Sequence, residues 1–155
     1  VIQDSSNYGA LKSVQGIEDA ILAKQIESLQ KILLSIGKTM DEFHAVVSSL
    51  GKIVRDGRQL IGVGSSQLTA RQLKQRIGLN PSISCCLDGL KQLEEMHRSE
   101  YLLKKSIVSS LRVLALKPSG SDSITALQQL LVDQPNIPAE QVTSILDVRF
   151  AFEIP

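Results

Sequence analysis

Apolar residues recur at every seventh position through the first third of the chain, and this spacing constrains the fold more than any other feature. Two such series interleave at steps of three and four, the a and d pattern of an α-helix that packs lengthwise on other helices. A third apolar series occupies the neighbouring g phase, where a two-stranded coiled coil prefers charge, so the pattern predicts a bundle of more than two helices. The a residues are Ile26, Leu33, Met40, Val47, Val54 and Ile61, the d residues are Leu22, Leu29, Ile36, Phe43 and Leu50, and the g residues are Ile32, Val46, Ile53 and Leu60.

Glycine, proline and serine clusters divide the rest of the chain into four further helical segments. Ser66 is the expected N-cap of the second helix and Gly78 its end, while Asn80 and Pro81 suit the N-cap and first position of the third helix. The predicted fold is all-α: an elongated helical bundle of two long antiparallel helices, a short intervening helix and a shorter C-terminal helical hairpin. In this single domain over residues 1–155, helices are predicted at about 17–61, 67–77, 81–116, 122–133 and 138–150.

Composition argues against several classes of function. Hydrophobic residues make up 43% of the chain but aromatic residues only 3%, which disfavours nucleic-acid modules that stack bases on exposed rings. The net charge of +1 provides no strong field for polyanions, so direct RNA binding is not expected. No apolar run has the length of a membrane span, and no secretory leader is visible. The adjacent Cys85 and Cys86 suit a disulfide poorly, which predicts an intracellular protein with reduced thiols.

No residue pattern indicates catalysis, a metal site or a cofactor. His44 and His97 lie on different predicted helices, and their spacing to Cys85 and Cys86 is not that of a zinc site. The glycines at 62 and 64 lack the lysine and the preceding strand of a phosphate-binding loop. Neighbouring carboxylates diverge by about 100° around a helix and do not converge on a substrate. The sequence therefore predicts a protein without enzyme activity.

Charge is segregated along the chain. Residues 52–76 contain six basic residues and one acidic residue, residues 98–117 contain five and one, and residues 118–155 are acidic. Solvated helix faces, with attraction between the second basic region and the acidic end, are the simplest interpretation. Contact with RNA or with an acidic partner is the alternative. Because the long apolar series exceeds what the short C-terminal helices can cover, we also expect a helical partner.

Two stretches carry a family resemblance. Residues 80–112 contain Arg98, Tyr101, Leu102 and Lys104 in an Arg-x-x-Tyr-Leu-x-Lys arrangement, followed by a pair of serines, and residues 145–153 read Ile-Leu-Asp-Val-Arg-Phe-Ala-Phe-Glu. Together they resemble the AIRIM family of ribosome maturation factors. Residues 80–112 also resemble the related CINP family of cyclin-dependent-kinase-interacting proteins. The C-terminal stretch distinguishes the two families, because it resembles the AIRIM C-terminus. The linker at residues 117–122 departs from the family pattern.

The resemblance implies an adaptor that works in the cytoplasm and nucleus. AIRIM-like proteins pair with a CINP-like helical protein and with an AFG-type AAA+ ATPase that releases a recycling factor from precursors of the large ribosomal subunit, so contact with a pre-ribosome is also implied. A coiled-coil subunit of a tethering, cytoskeletal or cell-cycle complex is the alternative. For Tyr101, and for both phenylalanines of the C-terminal tail, the alternative to a partner interface is packing within the chain. The sequence of the tail itself suits either a helix or an extended segment. The candidate interface residues are Arg98, Tyr101, Lys104, Lys105, Phe150 and Phe152.

Overall fold

The protein is all-helical in the part of the chain that the computed structural model describes, namely residue 9 and residues 15–62, 68–78, 80–114 and 121–150. This confirms the predicted fold class. The chain divides into two compact units, Val1–Thr39 and Met40–Pro155. The helices in the described ranges are α1 (Ile17–Gly62), α2 (Ala70–Lys74), α3 (Ile83–Leu114), α4 (Ser121–Val132) and α5 (Ala139–Phe150).

The described part of the first unit is chiefly the beginning of α1. Glu18 and Asp19 lie in its first turn, where carboxylates interact favourably with the positive end of the helix dipole. Glu27 pairs with Lys31 at 2.6 Å and with Lys24 at 2.9 Å, and these hydrogen bonds lower the pKa of its carboxyl. All three side chains are solvent-exposed, so the pairs contribute little to stability.

In the second unit, residues 40–62 of α1 pack antiparallel to α3. Phe43 and His44 contact Tyr101, whereas Gly57, more than three turns later on α1, lies beside Leu87, which precedes Tyr101 on α3. Only helices that run in opposite directions give this order of contacts. The a and d positions of α1 between Met40 and Ile61 are half-buried or buried, because they form the stripe that faces α3.

Short polar motifs begin the next two helices. Thr69 caps α2 in a capping box with Gln72, since its hydroxyl accepts from the Gln72 N–H and the Gln72 side chain accepts from the Thr69 N–H. The predicted cap, Ser66, lies outside the described residues. Ser82 caps α3, as its hydroxyl accepts a hydrogen bond from the Cys85 N–H at 3.2 Å. The helix therefore begins after Pro81, two residues later than the Asn80 signal indicates.

The C-terminal hairpin of α4 and α5 packs on α3. Most of the contacts come from α4, and α5 approaches closely where Ile145 meets Gly89. Among the described residues, the buried hydrophobic side chains are Val54, Ile107 and Val108. This small core follows from the geometry, because each long helix is covered along a stripe and not on all sides. None of the helices in this part of the chain combines the length and apolar character needed to span a membrane.

Two glycines, Gly57 of α1 and Gly89 of α3, allow close approach of a neighbouring helix. A Cβ on Gly57 would lie 3.0 Å from Leu87 Cδ2, and one on Gly89 would lie 3.0 Å from Ile145 Cγ2. The two glycines that directly follow d positions of α1, Gly37 and Gly51, make no such contact with a neighbouring helix in the described part of the chain. Gly51 meets the guanidinium of Arg55, and a Cβ on Gly37 would meet no atom of the described residues within 4 Å.

Candidate partner-binding site

Tyr101 is the centre of an aromatic and cationic cluster between α1 and α3. The Phe43 ring meets it edge-on at 5.8 Å between centroids, and the His44 ring stacks on it at 5.2 Å with an interplanar angle of 17°. The Lys105 ammonium lies 6.0 Å from the Tyr101 centroid. An edge-to-face aromatic pair contributes about 0.5–1.5 kcal/mol beyond its area. Tyr101 is thus half-buried and fixed by α1, with contacts that the sequence did not indicate.

A groove of ≈ 350 Å³ runs beside this cluster, and we call it the α1–α3 groove. Residues at steps of three and four share one face of a helix, which explains why the lining comes from one face of each helix. Gly51 leaves space on the α1 side, and the Arg55 guanidinium occupies part of it, 3.5 Å from the position of a Gly51 Cβ. The lining residues are His44, Val47, Ser48, Gly51 and Arg55 of α1 and Glu94, Arg98, Tyr101 and Leu102 of α3.

Two arginines and one glutamate provide the formal charges of the groove lining. Arg55 and Arg98 are exposed, and within the described part of the chain neither forms a salt bridge. Glu94 is the acidic residue among those that line the groove. Two unpaired guanidinium groups, each with a planar array of donors, suit carboxylates. The groove therefore combines Arg98 and Tyr101, two of the predicted interface residues, with Arg55 and His44 of α1.

Lys104 and Lys105 are adjacent in the sequence but lie in opposite environments. Lys105 is exposed beside Tyr101, whereas Lys104 is only 6% exposed and faces α4. The Lys104 ammonium donates to the backbone carbonyls of Leu130 and Asp133 at the end of α4. A helix leaves its last carbonyls without internal partners, and a cation there also interacts favourably with the helix dipole. Lys104 thus has a role inside the chain.

Glu100 completes this arrangement, which we call the buried polar cluster (Glu100, Lys104 and Asn136). Its carboxylate lies 2.8 Å from the Lys104 ammonium, and it accepts bonds of 3.0 Å from both the backbone N–H and the side-chain amide of Asn136. Burial by itself raises the pKa of Glu100. The hydrogen bonds from Lys104 and Asn136, with the charge of Lys104, outweigh this effect and leave the pKa below its ordinary value of 4.5. The cluster joins α3 to the loop between α4 and α5.

The phenylalanines of the predicted docking tail are at the limit of the described chain. Phe150 is the last residue of α5, but its side chain lies outside the described residues, as does the whole of Phe152. Their assignment to an interface stays a prediction.

The cysteines and histidines are dispersed. Cys85 is exposed, Cys86 is half-buried, and both are free thiols. His97 Nδ1 lies 2.7 Å from the Leu93 carbonyl oxygen of its own helix. Over the described ranges, no three histidine, cysteine, aspartate or glutamate residues are arranged to hold a metal ion. A cleft of ≈ 190 Å³ between α3 and α5 is lined by both cysteines, with Gly89 and Ile145 opposite each other.

The g-phase side chains of α1 remain uncovered. In the second unit Val46, Ile53 and Leu60 are 50%, 48% and 81% exposed, and we call these three residues the g-phase stripe. The a and d residues between them face α3 and are at least half-buried. The extra apolar width predicted from the sequence is thus present, and the described chain does not bury it.

Comparison with protein-family models gives a match over nearly the whole chain. The family model CA109-like, described as ribosome biogenesis protein C1orf109-like, matches residues 1–154. No curated protein and no solved structure matches the chain significantly.

Proposed function

Because this chain belongs to the C1orf109-like family of ribosome biogenesis proteins, which is the AIRIM family that its sequence resembles, we propose that it is a non-enzymatic adaptor subunit of an AAA+ ATPase complex in large ribosomal subunit maturation. Its partners in this proposal are an AFG-type AAA+ ATPase and a CINP-like helical protein. It contacts pre-ribosomes and works in the cytoplasm and nucleus. These finer assignments derive from the family resemblance.

The g-phase stripe is the observation that carries the adaptor role. Val46, Ile53 and Leu60 are seven residues apart on one face of α1, and all are about half exposed or more. Apolar residues with this period are the contact surface that one helix offers to another. Isolated exposed apolar residues are common, but a periodic series next to a packed seam is typical of a face that another chain covers.

Affinity isolation of the tagged, full-length chain from cells of its own source tests the proposal. We expect an AAA+ ATPase, a helical partner and precursors of the large subunit to be recovered together. The double variant Val46→Glu, Ile53→Glu is expected to recover at least tenfold less of the helical partner, because it places two charges in the contact face. Val113→Glu is the control, because it places a charge at an exposed apolar residue outside the stripe. Val113 is 57% exposed and lies on α3.

The alternative function gives a different result in the same experiment. A subunit of a tethering, cytoskeletal or cell-cycle complex would recover coiled-coil proteins without an AAA+ ATPase, and that outcome would contradict the adaptor proposal. Circular dichroism and the thermal midpoint of the double variant must match those of the unsubstituted chain. Hydrolysis of ATP by the purified chain alone would contradict the non-enzymatic part.

A further inference from the structure

We propose that the α1–α3 groove is a docking site for an acidic amphipathic helix of a partner protein. The groove is separate from the g-phase stripe, because Val46, Ile53 and Leu60 are not among its lining residues. The inference rests on the proposed adaptor role only for the identity of the partner, and the chemistry of the occupant follows from the groove itself.

Charge complementarity indicates the polar face of the occupant. Arg55 lines the groove from α1 and Arg98 lines it from α3, so the two guanidinium groups belong to different helices. Neither has a carboxylate partner within the described part of the chain, and Lys105 adds a third cation beside Tyr101. Arginine and tyrosine are, with tryptophan, enriched among the side chains that contribute most to binding at the centre of interfaces. An occupant with carboxylates spaced along a helix would pair with both arginines.

The apolar part of the groove indicates the other face of the occupant. Leu102 is 55% exposed, and Val47 is half-buried in the same lining. These surfaces lose their contact with water when an aliphatic side chain covers them. A purely acidic peptide would leave Leu102 uncovered. A helix with acidic and aliphatic residues at steps of three and four satisfies both requirements.

The same observations disfavour RNA as the occupant. His44 stacks on the Tyr101 ring and Lys105 lies above it, so the ring is not free to receive a base. The apolar side chains of Leu102 and Val47 form no hydrogen bonds or ion pairs with a sugar-phosphate backbone. A protein segment is therefore the better match, and RNA is an outcome that the experiment distinguishes.

Fluorescence anisotropy with the purified full-length chain tests the inference. The probe is a labelled synthetic peptide of about 20 residues, with leucines at steps of three and four, glutamates on the face beside them and alanines at the remaining positions to favour the helix. A second probe replaces every glutamate with lysine, and a third is a uridine oligonucleotide of about 20 nucleotides at low salt. We expect the glutamate helix to bind at least tenfold more tightly than either of the others.

Charge reversal locates the site. Arg55→Glu, Arg98→Glu is expected to weaken binding of the glutamate helix at least tenfold, whereas Arg112→Glu, an exposed α3 position outside the groove, is expected to leave it within twofold. Arg98→Lys keeps the charge but loses the paired donors and should have an intermediate effect. Thermal unfolding of each variant must match the unsubstituted chain, which is expected because the substituted side chains are exposed.

Three results would overturn the inference: no binding of the glutamate helix, equal losses in the groove and Arg112 variants, or tighter binding of RNA or of the lysine helix. None of these depends on the AAA+ ATPase. If the affinity isolation finds no ATPase while the peptide results hold, the adaptor proposal fails alone. If the ATPase is recovered but the groove variants bind the glutamate helix normally, only the groove assignment fails.

Discussion

The two sides of α3 use the same kinds of residue for different purposes. One side carries Glu100 and Lys104, which are 1% and 6% exposed and bonded to each other, to the end of α4 and to Asn136. The other side carries Arg98 and Lys105, which are exposed beside the groove. Each step along a helix rotates the side chain by about 100°, so adjacent lysines face an interior and a binding surface. A charged residue on this helix must therefore be judged by what it faces.

The buried side specifies how the hairpin docks. Taking two charges out of water is costly, and a buried ion pair is favourable only when further hydrogen bonds satisfy its remaining atoms. Here Asn136 and two carbonyls of α4 supply those bonds. A shift of the hairpin by one residue would leave Glu100 or Lys104 unpaired, so the cluster favours a single register.

Glu100→Ala is expected to have the largest effect on stability. It leaves the Lys104 ammonium buried without its counter-charge, and losing one member of such a pair costs about 3–5 kcal/mol. Chemical unfolding followed by circular dichroism measures this loss. The control is Glu95→Ala, which removes an exposed pair with Lys91 at 3.3 Å on the same helix, and for which the cost is about 1 kcal/mol or less. Similar losses in both variants would mean that burial does not distinguish the two pairs.

Ile107→Ala tests the apolar part of the buried side. Ile107 is 3% exposed, and removing buried aliphatic atoms without full collapse of the cavity costs about 2–5 kcal/mol. Val113→Ala on the same helix removes a side chain that is 57% exposed, and we expect a change within about 0.5 kcal/mol. Urea midpoints of the two variants give the comparison, and a larger loss at Val113 would contradict the described burial.

Acid should weaken the contribution of the buried polar cluster. In the folded protein the pKa of Glu100 lies below its ordinary value of 4.5. The ionised carboxylate therefore stabilises the fold fully above about pH 4.5, and this contribution is lost as the pH falls through the pKa of the folded state. The stability difference between the unsubstituted chain and Glu100→Gln should therefore shrink between pH 5 and pH 3, as measured by urea unfolding. Glu27→Gln serves as the comparison at an exposed ion pair, and a difference that stays constant for Glu100→Gln would refute the assignment.

Two glycines of α1 give the smallest expected effects. Gly51→Ala places a Cβ in ordinary contact with Arg55, and alanine in a helix interior is more stable than glycine by about 0.5–1 kcal/mol. Gly57→Ala is expected to stabilise the protein less than Gly51→Ala does, or to destabilise it, because its Cβ would lie 3.0 Å from Leu87 Cδ2. Thermal midpoints of the two variants should move apart, and equal increases would show that Leu87 moves aside freely.

Local patterns predicted the all-helical fold class, but they did not predict how the polar residues are paired. The seven-residue period predicted both the a and d residues that face α3 and the apolar g residues beside them, since periodicity reflects burial directly. Asn80 is the N-cap of α3 that the sequence predicts, yet Ser82 caps the helix, because both residue types are good caps and the sequence does not rank them. Arg98 and Tyr101 were predicted as interface residues and meet in one groove, whereas His44 and Arg55 were missed because they are 43 or more residues away along the chain.

The all-helical class was determined by the sequence alone, because apolar period, caps and turn residues act over a few positions. The tertiary structure alone decided which lysine is buried and which arginines form no salt bridge within the described part of the chain. Glu100 and Asn136 are 36 residues apart, and nothing in the residues near either one predicts their contact. The free energy of a polar group depends on the partners that packing brings to it, and those partners are known only once the helices are in place.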